Sequence, residues 1–295
     1  MVEMLTFEGE FKVTDEIKNR FDDDGFIVVK DLLDKEEIAQ IWKVLNDPEG
    51  ILKHAYETLE PDGHKIQRIL YCHPGNDVTG IVSRSEKIVN ACEKLVGGEM
   101  YHYHGKFILK NANEGGRHVW HQDYGYWYKQ NLFPDMITVW MPLDKTTRKN
   151  SCLQLLKGSH KCGRIDHGAG SGTMQSEADL ERIEQLKKVC PHLYCEMEPG
   201  DVLFQHCNLL HTSDPNDSDL RRWAFVACYN RRSNSSFKKH HHPSYTPLHK
   251  VPDSEIKTCR NYTDFSGKEF VNPIGNEEDR KLYSQYSLRP LEQET

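Results

Sequence analysis

Six short segments in the middle of the chain constrain its fold most strongly. They are rich in valine, isoleucine, phenylalanine, tyrosine and tryptophan, and turn residues separate them, as is typical of β-strands. We place these strands at residues 101–110, 119–121, 136–143, 152–156, 202–206 and 223–229. Residues 176–189 form the one helix-like interruption among them. The pattern predicts a mainly β core.

The first hundred residues carry helix signals instead. Asp34 and Glu37 have the spacing of a capping box, and apolar residues follow at helical intervals. Further helices are predicted near residues 14–24 and 85–96, with a strand at 26–29. We therefore expect one domain over residues 1–295, with helices packed outside the β core. Its expected parts are a helical part to about residue 98, a β core over about 99–235 and an extension over about 236–295.

Composition excludes several classes of protein. The net charge of −7 over 295 residues argues against a nucleic-acid-binding or membrane-surface protein. No apolar run approaches the roughly 18 residues that a membrane span requires. The nine cysteines include no C-x-x-C pair, so we predict reduced thiols. With no targeting signal visible, we expect a cytoplasmic protein whose partner is a small molecule.

The pair formed by His121 and Asp123 is the clearest chemical signal. Residues two apart on an extended strand point to the same face, so the imidazole and the carboxylate can bind one metal ion. A third ligand must come from elsewhere, and His211 lies 90 residues downstream, just after a predicted strand. Two histidines and one carboxylate leave three coordination positions open. That arrangement suits iron(II) oxygenases, which bind an oxoacid and dioxygen together.

Arg222, eleven residues after His211, supplies the second part of such a site. 2-Oxoglutarate needs a buried cation for its distal carboxylate, and a guanidinium matches a carboxylate with two parallel hydrogen bonds. Ser213 lies two residues after His211 and can donate a hydroxyl to the same carboxylate. Arg221 precedes Arg222 on the strand and is expected to point to the opposite face.

Other histidines remain alternative ligands. His206 is the runner-up for the third position, although its odd offset from His211 prevents one continuous strand from directing both inward. His102 and His104 alternate in phase along one predicted strand and are the next candidates. His118 is expected to be structural.

The chain resembles the phytanoyl-CoA dioxygenase superfamily. The resemblance is carried by residues 23–29 (Asp-Asp-Gly-Phe-Ile-Val-Val), 121–123 (His-Gln-Asp), 150–160, 200–204 and 211–218 with Arg222. It implies a double-stranded β-helix, or jelly roll, with iron and 2-oxoglutarate at one end. It also implies that Ser213 and Arg222 bind the distal carboxylate. By the same resemblance, Lys106 matches a basic residue near the co-substrate and Trp140 a tryptophan lining the pocket.

Aromatic residues directly after the His-Gln-Asp motif are candidates for contact with substrate. Tyr124, Tyr126 and Trp127 belong to a run that either lines a substrate pocket or forms a packed flap over it. His104 is a further candidate. No long apolar tunnel is evident in the strands, which favours a small polar metabolite as substrate.

These observations predict an enzyme that uses O2 and 2-oxoglutarate to hydroxylate a C–H bond, releasing succinate and CO2. Radical halogenases of this superfamily lack the carboxylate ligand, so Asp123 favours hydroxylation. One alternative is an acyl-CoA hydroxylase of the phytanoyl-CoA type. Its basic groove would be built from Arg117, Arg148, Lys149 and Arg164. The other is a cupin-like protein that binds a metal or metabolite without turnover.

Overall fold

The computed structural model describes residues 2–60, 62–169, 175–238 and 240–272. Its helices are α1 (Asp15–Asp24), α2 (Lys35–Asn46), α3 (Val78–Arg84), α4 (Glu86–Val96), α5 (Asp123–Trp127), α6 (Leu180–Leu186) and α7 (Glu255–Thr258). Single turns of 3-10 helix lie at Ile51–His54, Ser159–Cys162 and Arg232–Asn234.

Fifteen strands lie in the same described ranges. They are β1 (Met4–Leu5), β2 (Phe26–Val29), β3 (Tyr56–Leu59), β4 (Lys65–Cys72), β5 (Met100–Lys110), β6 (His118–His121), β7 (Met136–Pro142), β8 (Leu153–Leu156), β9 (His167–Ala169), β10 (Ser176–Ala178), β11 (His192–Cys195), β12 (Val202–His206), β13 (His211–Ser213), β14 (Arg222–Arg231) and β15 (Glu269–Phe270). Each of the six strands predicted in the β core is present, with its ends shifted by at most two residues.

Local sequence signals explain where the N-terminal helices begin and end. Asp34 accepts hydrogen bonds from the backbone N–H groups of Glu36 and Glu37, and the Glu37 side chain accepts from Asp34 N. This confirms the predicted capping box, which satisfies donors that a helix start leaves unpaired. Helix α1 ends at Gly25, whose φ of 81° is a left-handed conformation that favours glycine.

Two sheets form the framework of the fold. The larger sheet runs β1-β2-β12-β7-β14-β5-β4-β15, with β3 paired to the outside of β4. The smaller sheet runs β11-β8-β13-β6. Buried side chains from both sheets share one apolar cluster, including Trp140 and Val226 of the large sheet and Leu155 of the small one. The two sheets therefore pack face to face, as in a jelly roll.

The opposite face of the large sheet carries the helices. Phe107, Val139 and Phe225 lie on that face, in a cluster with Ile41 of α2 and Ile88 of α4. Alternation along each strand therefore sends one set of side chains to the helical layer and the next set between the sheets. The predicted fold class, mainly β with flanking helices, is confirmed.

The N-terminal and C-terminal parts take a larger share in the sheet than their sequences indicate. Strand β2 confirms the strand predicted at residues 26–29, whereas β4 was not predicted, and both are hydrogen-bonded within the large sheet. Strand β15 of the C-terminal extension pairs with β4, and Lys268 forms a buried ion pair with Asp77. Residues 273–295 of the predicted extension lie outside the described residues.

Candidate metal centre

Pairing of two short strands brings the two predicted histidine ligands together. His211 on β13 lies directly opposite His121 on β6, and their ring centroids are 4.1 Å apart. The ligand atoms of His121, Asp123 and His211 all lie within 4.8 Å of one another. Within the described ranges, this is the group of three histidine, cysteine or carboxylate side chains that could hold a metal ion.

Asp123 is held differently from the way the strand pattern predicts. Strand β6 ends at His121, and Asp123 is the first residue of α5. Gln122 between them keeps an extended backbone, with φ −108° and ψ 136°. The alternation expected of a strand therefore still turns His121 and Asp123 to the same side, although the prediction that both lie on one strand is wrong.

Hydrogen bonds fix which nitrogen of each imidazole is available to a metal. Nδ1 of His121 lies 2.7 Å from the carbonyl oxygen of Val119, and Nδ1 of His211 lies 2.9 Å from that of Leu209. A carbonyl oxygen can only accept, so each Nδ1 carries the proton and each Nε2 has a free lone pair. Burial, together with the neighbouring His211, lowers the pKa of His121 well below its ordinary value, and burial also lowers the pKa of His211. Both are therefore neutral, as metal ligands must be.

The carboxylate of Asp123 is oriented by two donors. Oδ2 accepts from Thr138 Oγ1 at 2.6 Å and from Gln205 Nε2 at 3.3 Å. Burial opposes ionisation of Asp123, but the positive charge of Lys106 and the other nearby groups outweigh it, so its pKa lies below the ordinary value. Asp123 is thus an anion at neutral pH. Two neutral imidazoles and one carboxylate are a donor set that fits iron(II).

The large sheet supplies the floor of the site in rows across its strands. One row joins His104, Cys228, Thr138 and Gln205 on β5, β14, β7 and β12. The next joins Lys106, Val226, Trp140 and Leu203. Because these residues alternate with those of the helical face, the predicted residues Lys106 and Trp140 both lie on the side of the metal ligands.

Arg222 is the predicted cation for a carboxylate, and the structure buries it. Only 1% of the residue is exposed, and its Nε donates to the carbonyl oxygen of Ser151 at 3.0 Å. Its two terminal nitrogens are buried with no hydrogen-bond partner. Burial lowers the pKa of Arg222 to about 10, so the group stays charged at neutral pH. The guanidinium also faces the Trp140 ring at 5.5 Å.

Lys110 is a second buried cation, which the sequence interpretation missed. It lies opposite Arg222 in the register of β5 and β14 and is 2% exposed. Its Nζ donates to the hydroxyls of Ser213 at 2.9 Å and Ser151 at 2.7 Å, and to the carbonyl oxygen of Asp214. Burial and the adjacent Arg222 lower the pKa of Lys110 well below its ordinary value.

Together, Arg222, Lys110 and Ser213 form what we call the carboxylate pocket. Neither cation forms an ion pair with any residue of the described part of the chain. Buried cations without an anion are costly, so the arrangement fits an anionic ligand that completes it. Lys106 and Lys110 are four residues apart on one strand, so a lysine on this face was predictable. The alternation of side chains along the strand did not distinguish which of the two lysines contacts Ser213.

Predicted substrate residues surround the ligand cluster on one side. The ring of Tyr126 lies 5.8 Å from that of His121, and Trp127 lies 5.4 Å from His104. Tyr124 is buried, and its hydroxyl donates to the carbonyl oxygen of Asn131. Contact between these residues and a substrate remains a prediction.

The alternative histidine ligands are placed elsewhere. His206 packs against Phe21 and His160, at 6.3 and 5.2 Å between ring centroids. A bulge in the pairing of β14 with β5 leaves His104 opposite Cys228 but His102 opposite Tyr229, on the helical side. The bulge therefore interrupts the alternation of side chains along β5, which was the reason for considering His102 as a metal ligand. His118 lies opposite Ser213 and is not one of the three clustered side chains.

The C-terminal segment contributes an imidazole that the sequence did not place. The ring of His242 stacks on that of His104 at 4.7 Å and lies 4.5 Å from that of Tyr103. His242 is buried. His242 thus reaches the substrate side through His104.

Comparison with known proteins assigns a family to this arrangement. Residues 21–224 match the model of the phytanoyl-CoA dioxygenase (PhyH) family, which is more than half of the chain. The chain belongs to the phytanoyl-CoA dioxygenase family. The predicted resemblance is confirmed, and all three residues of the cluster lie within the matched range.

Proteins similar to this chain in sequence include two that are named for their activities. An L-proline trans-4-hydroxylase of Streptomyces griseoviridis is 26% identical over 235 residues, 74% of this chain and 87% of that protein. An ectoine dioxygenase of Halomonas elongata is 28% identical over 230 residues, 72% of this chain and 69% of that protein.

Solved structures support the jelly-roll fold. EctD from S. alaskensis with 2-oxoglutarate and 5-hydroxyectoine has a TM-score of 0.65 at 22% identity, covering 84% of each chain. The α-ketoglutarate-dependent carbocyclase SnoK has a TM-score of 0.60 at 15% identity, covering 90% of this chain and 100% of that one. Family, fold and ligand set together make this chain an iron(II)- and 2-oxoglutarate-dependent oxygenase. The predicted enzyme class and cofactors are confirmed.

In the described ranges, no helix has both the length and the apolar character needed to cross a bilayer.

Proposed function

We propose that this protein hydroxylates a C–H bond of a small polar metabolite with O2 and 2-oxoglutarate, releasing succinate and CO2. The observation that carries the proposal is the carboxylate pocket beside a cluster of two histidines and one aspartate. Bound iron would supply the activation of dioxygen. The residues of the chain bind and orient the metal, the co-substrate and the substrate, and they exclude water.

We assign His121, Asp123 and His211 as the iron ligands. Nε2 of each histidine and Oδ1 of Asp123 are the atoms left for the metal, because the other polar atoms of these side chains are already hydrogen-bonded. The aspartate also supports hydroxylation over halogenation, since radical halogenases of the superfamily lack a carboxylate at this position.

We assign the distal carboxylate of 2-oxoglutarate to the carboxylate pocket. The two unpartnered guanidinium nitrogens of Arg222 can donate to both carboxylate oxygens, and Lys110 and Ser213 lie beside them. An anion there favours the charged form of Lys110 against the effect of burial. Trp140 faces Arg222 and would line the same pocket. Lys106 remains a predicted contact on the iron side of it.

The basic residues considered for an acyl-CoA groove support a small substrate instead. Lys149 pairs with Asp219, at 2.8 Å between Nζ and Oδ1. Arg164 pairs with Asp166 and stacks on Tyr128 at 3.8 Å. These two basic groups are thus engaged with their own neighbours. The relatives named for L-proline and ectoine favour a zwitterionic metabolite with a carboxylate.

A metabolite screen tests the proposal. Purified protein with iron(II), ascorbate and 2-oxoglutarate is incubated with amino acids, ectoine and acyl-CoA thioesters, and succinate is measured. We expect at least one small zwitterion to stimulate succinate release well above the rate without substrate and to gain one oxygen atom by mass spectrometry. Stimulation by acyl-CoA alone would favour the phytanoyl-CoA type of activity. If no compound stimulates release and the metal still binds, a non-catalytic binding role is favoured.

We also propose a reducing, cytoplasm-like location. All nine cysteines are free thiols, and burial raises the pKa of Cys195 and Cys207 above the ordinary value. Buried neutral thiols of this kind are typical of proteins kept in reducing compartments.

A further inference from the structure

Gln205 lies against two of the three metal ligands. Its Nε2 is 3.3 Å from Asp123 Oδ2 and 3.4 Å from His211 Nε2. The residue is 2% exposed and lies on β12, in the same row as Thr138. Its Oε1 is buried and has no hydrogen-bond partner.

The chemistry of the neighbours fixes the orientation of the Gln205 amide. The carboxylate of Asp123 can only accept, and His211 Nε2 has a lone pair because its Nδ1 proton goes to Leu209. Both neighbours therefore require a donor, so the NH2 group, and not the oxygen, faces them. A reversed amide would place its oxygen against two acceptors.

Gln205 shares its task with Thr138. Both donate to Oδ2 of Asp123, which leaves Oδ1 as the oxygen that can bind a metal. A carboxylate with one oxygen held by two donors loses rotational freedom before the metal arrives. The shorter bond, from Thr138, comes from the neighbouring strand, so two adjacent strands act on one atom.

We propose that Gln205 is a positioning residue of the iron site, which orients Asp123 through Oδ2. The proposal deepens the iron-dependent function proposed above and rests on it. When a metal takes the lone pair of His211, the Gln205 amide gives up that contact and donates to Asp123 alone. This positioning role belongs to the Gln205 side chain and is separate from the metal coordination proposed for His121, Asp123 and His211.

Metal titration of four variants tests the proposal. Metal-free protein is titrated anaerobically with iron(II) by calorimetry, for the wild type, Gln205→Met, Thr138→Val and the double variant. Methionine keeps the length of glutamine but lacks the amide. We expect Gln205→Met to weaken iron(II) binding roughly 10-fold, the lower end of the effect of outer-shell partners. Gln40→Met is the control. Gln40 is buried like Gln205, but it lies on α2, and both ends of its amide are hydrogen-bonded there.

The double variant separates a shared role from two independent ones. If both donors hold the same oxygen, each single variant retains the other donor, so the double variant should lose more than the product of the single losses. The visible band of the iron(II)–2-oxoglutarate complex should weaken in the same order. An unchanged or tighter affinity in Gln205→Met, or an equal loss in Gln40→Met, would overturn the proposal. Failure of the wild type itself to bind iron(II) would instead refute the proposed function.

Discussion

At the scale of single residues, two lysines on β5 are candidates to hold the co-substrate. Lys110 contacts Ser213 and lies opposite Arg222, whereas the charge of Lys106 acts on Asp123 and His211. Both face the space between the sheets, so position on the strand does not separate them. Their contacts separate the two lysines, and these contacts predict different effects on the binding of 2-oxoglutarate.

Lys110→Met should raise the KM for 2-oxoglutarate more than Lys106→Met does. The variant removes the positive charge beside Arg222 and the charged hydrogen bond that holds Ser213. A hydrogen bond of this kind contributes about 1.5–3 kcal/mol, which corresponds to roughly a 10- to 150-fold rise. Succinate formation at varied 2-oxoglutarate concentrations measures the effect in both variants. A larger rise in Lys106→Met would return the role to the residue that the family resemblance indicated.

The residues of the candidate site were predictable from the sequence where their roles depended on residue type and spacing. His121, Asp123 and His211 are brought together as expected, and Arg222 is buried as a carboxylate partner must be. Lys110 was not predicted because the contact depends on where Ser213 lies across the sheets. Thr138 and Gln205 were missed for the same reason, since the row that joins them is a property of strand register.

At the scale of elements, short pieces of structure decide the site. Strand β13 has only three residues, too few for a periodic signal, yet its pairing with β6 sets His211 opposite His121. A single bulge moves His102 away from the site. Helix α2, in contrast, was predictable from its capping box, because that signal is local.

The segment after β14 is a further element that acts at a distance. Ser236 donates to Asn131, and Asn131 in turn donates to Tyr103. His242 then stacks on His104. These contacts fasten the segment against the loop that follows α5, on the substrate side of the site. The position of the segment is long-range and left no signal in the sequence.

Removing the His242 ring should loosen this segment without unfolding the sheets. An aromatic pair contributes about 0.5–1.5 kcal/mol beyond the area it buries, and His242→Ala loses the ring contacts that join the segment to Tyr103 and His104 of β5. Trypsin should therefore cleave after the exposed Lys238 several-fold faster than in the wild type. His249→Ala is the control, because His249 is exposed in the same segment. Equal cleavage rates in all three proteins would argue against the proposed fastening.

At the scale of the whole molecule, buried neutral histidines link the fold to pH. Burial lowers the pKa of His167 and of His206 to about 4. An unfolded chain titrates these groups near pH 6.5, so between pH 6.5 and 4 it binds more protons than the native state. Their contribution to stability is therefore complete above pH 6.5 and is lost as the pH falls towards 4.

The free energy of unfolding should thus fall steeply between pH 6.5 and 4, by about 3 kcal/mol for each such histidine. Urea denaturation at a series of pH values measures it. His206→Asn keeps an acceptor for the Asn208 backbone N–H and removes the titrating group, so the fall should be shallower. His249→Asn, at an exposed position, should leave the slope unchanged. If the slope of the free energy of unfolding against pH is unchanged in His206→Asn, the pH dependence comes from other groups.

We propose that the chain acts as one domain. Strand β15 attaches the C-terminal extension to the large sheet, and the Lys268–Asp77 ion pair attaches it to the start of α3. His242 of the same extension stacks on His104 in the site. The sequence indicated a layered protein with helices outside. It indicated the strand at residues 26–29, but not β4 or β15, which also belong to the sheet that carries the site.

We propose above that His121, Asp123 and His211 hold one iron(II) ion beside a carboxylate pocket for 2-oxoglutarate. The most direct test is anaerobic absorption spectroscopy of the folded protein with iron(II) and 2-oxoglutarate, compared with Asp123→Ala and Arg222→Met. We expect a weak visible charge-transfer band in the wild type. The band should be lost in Asp123→Ala and should require far more 2-oxoglutarate in Arg222→Met. A folded wild type without the band, or an Asp123→Ala variant with the band unchanged, would contradict this proposal.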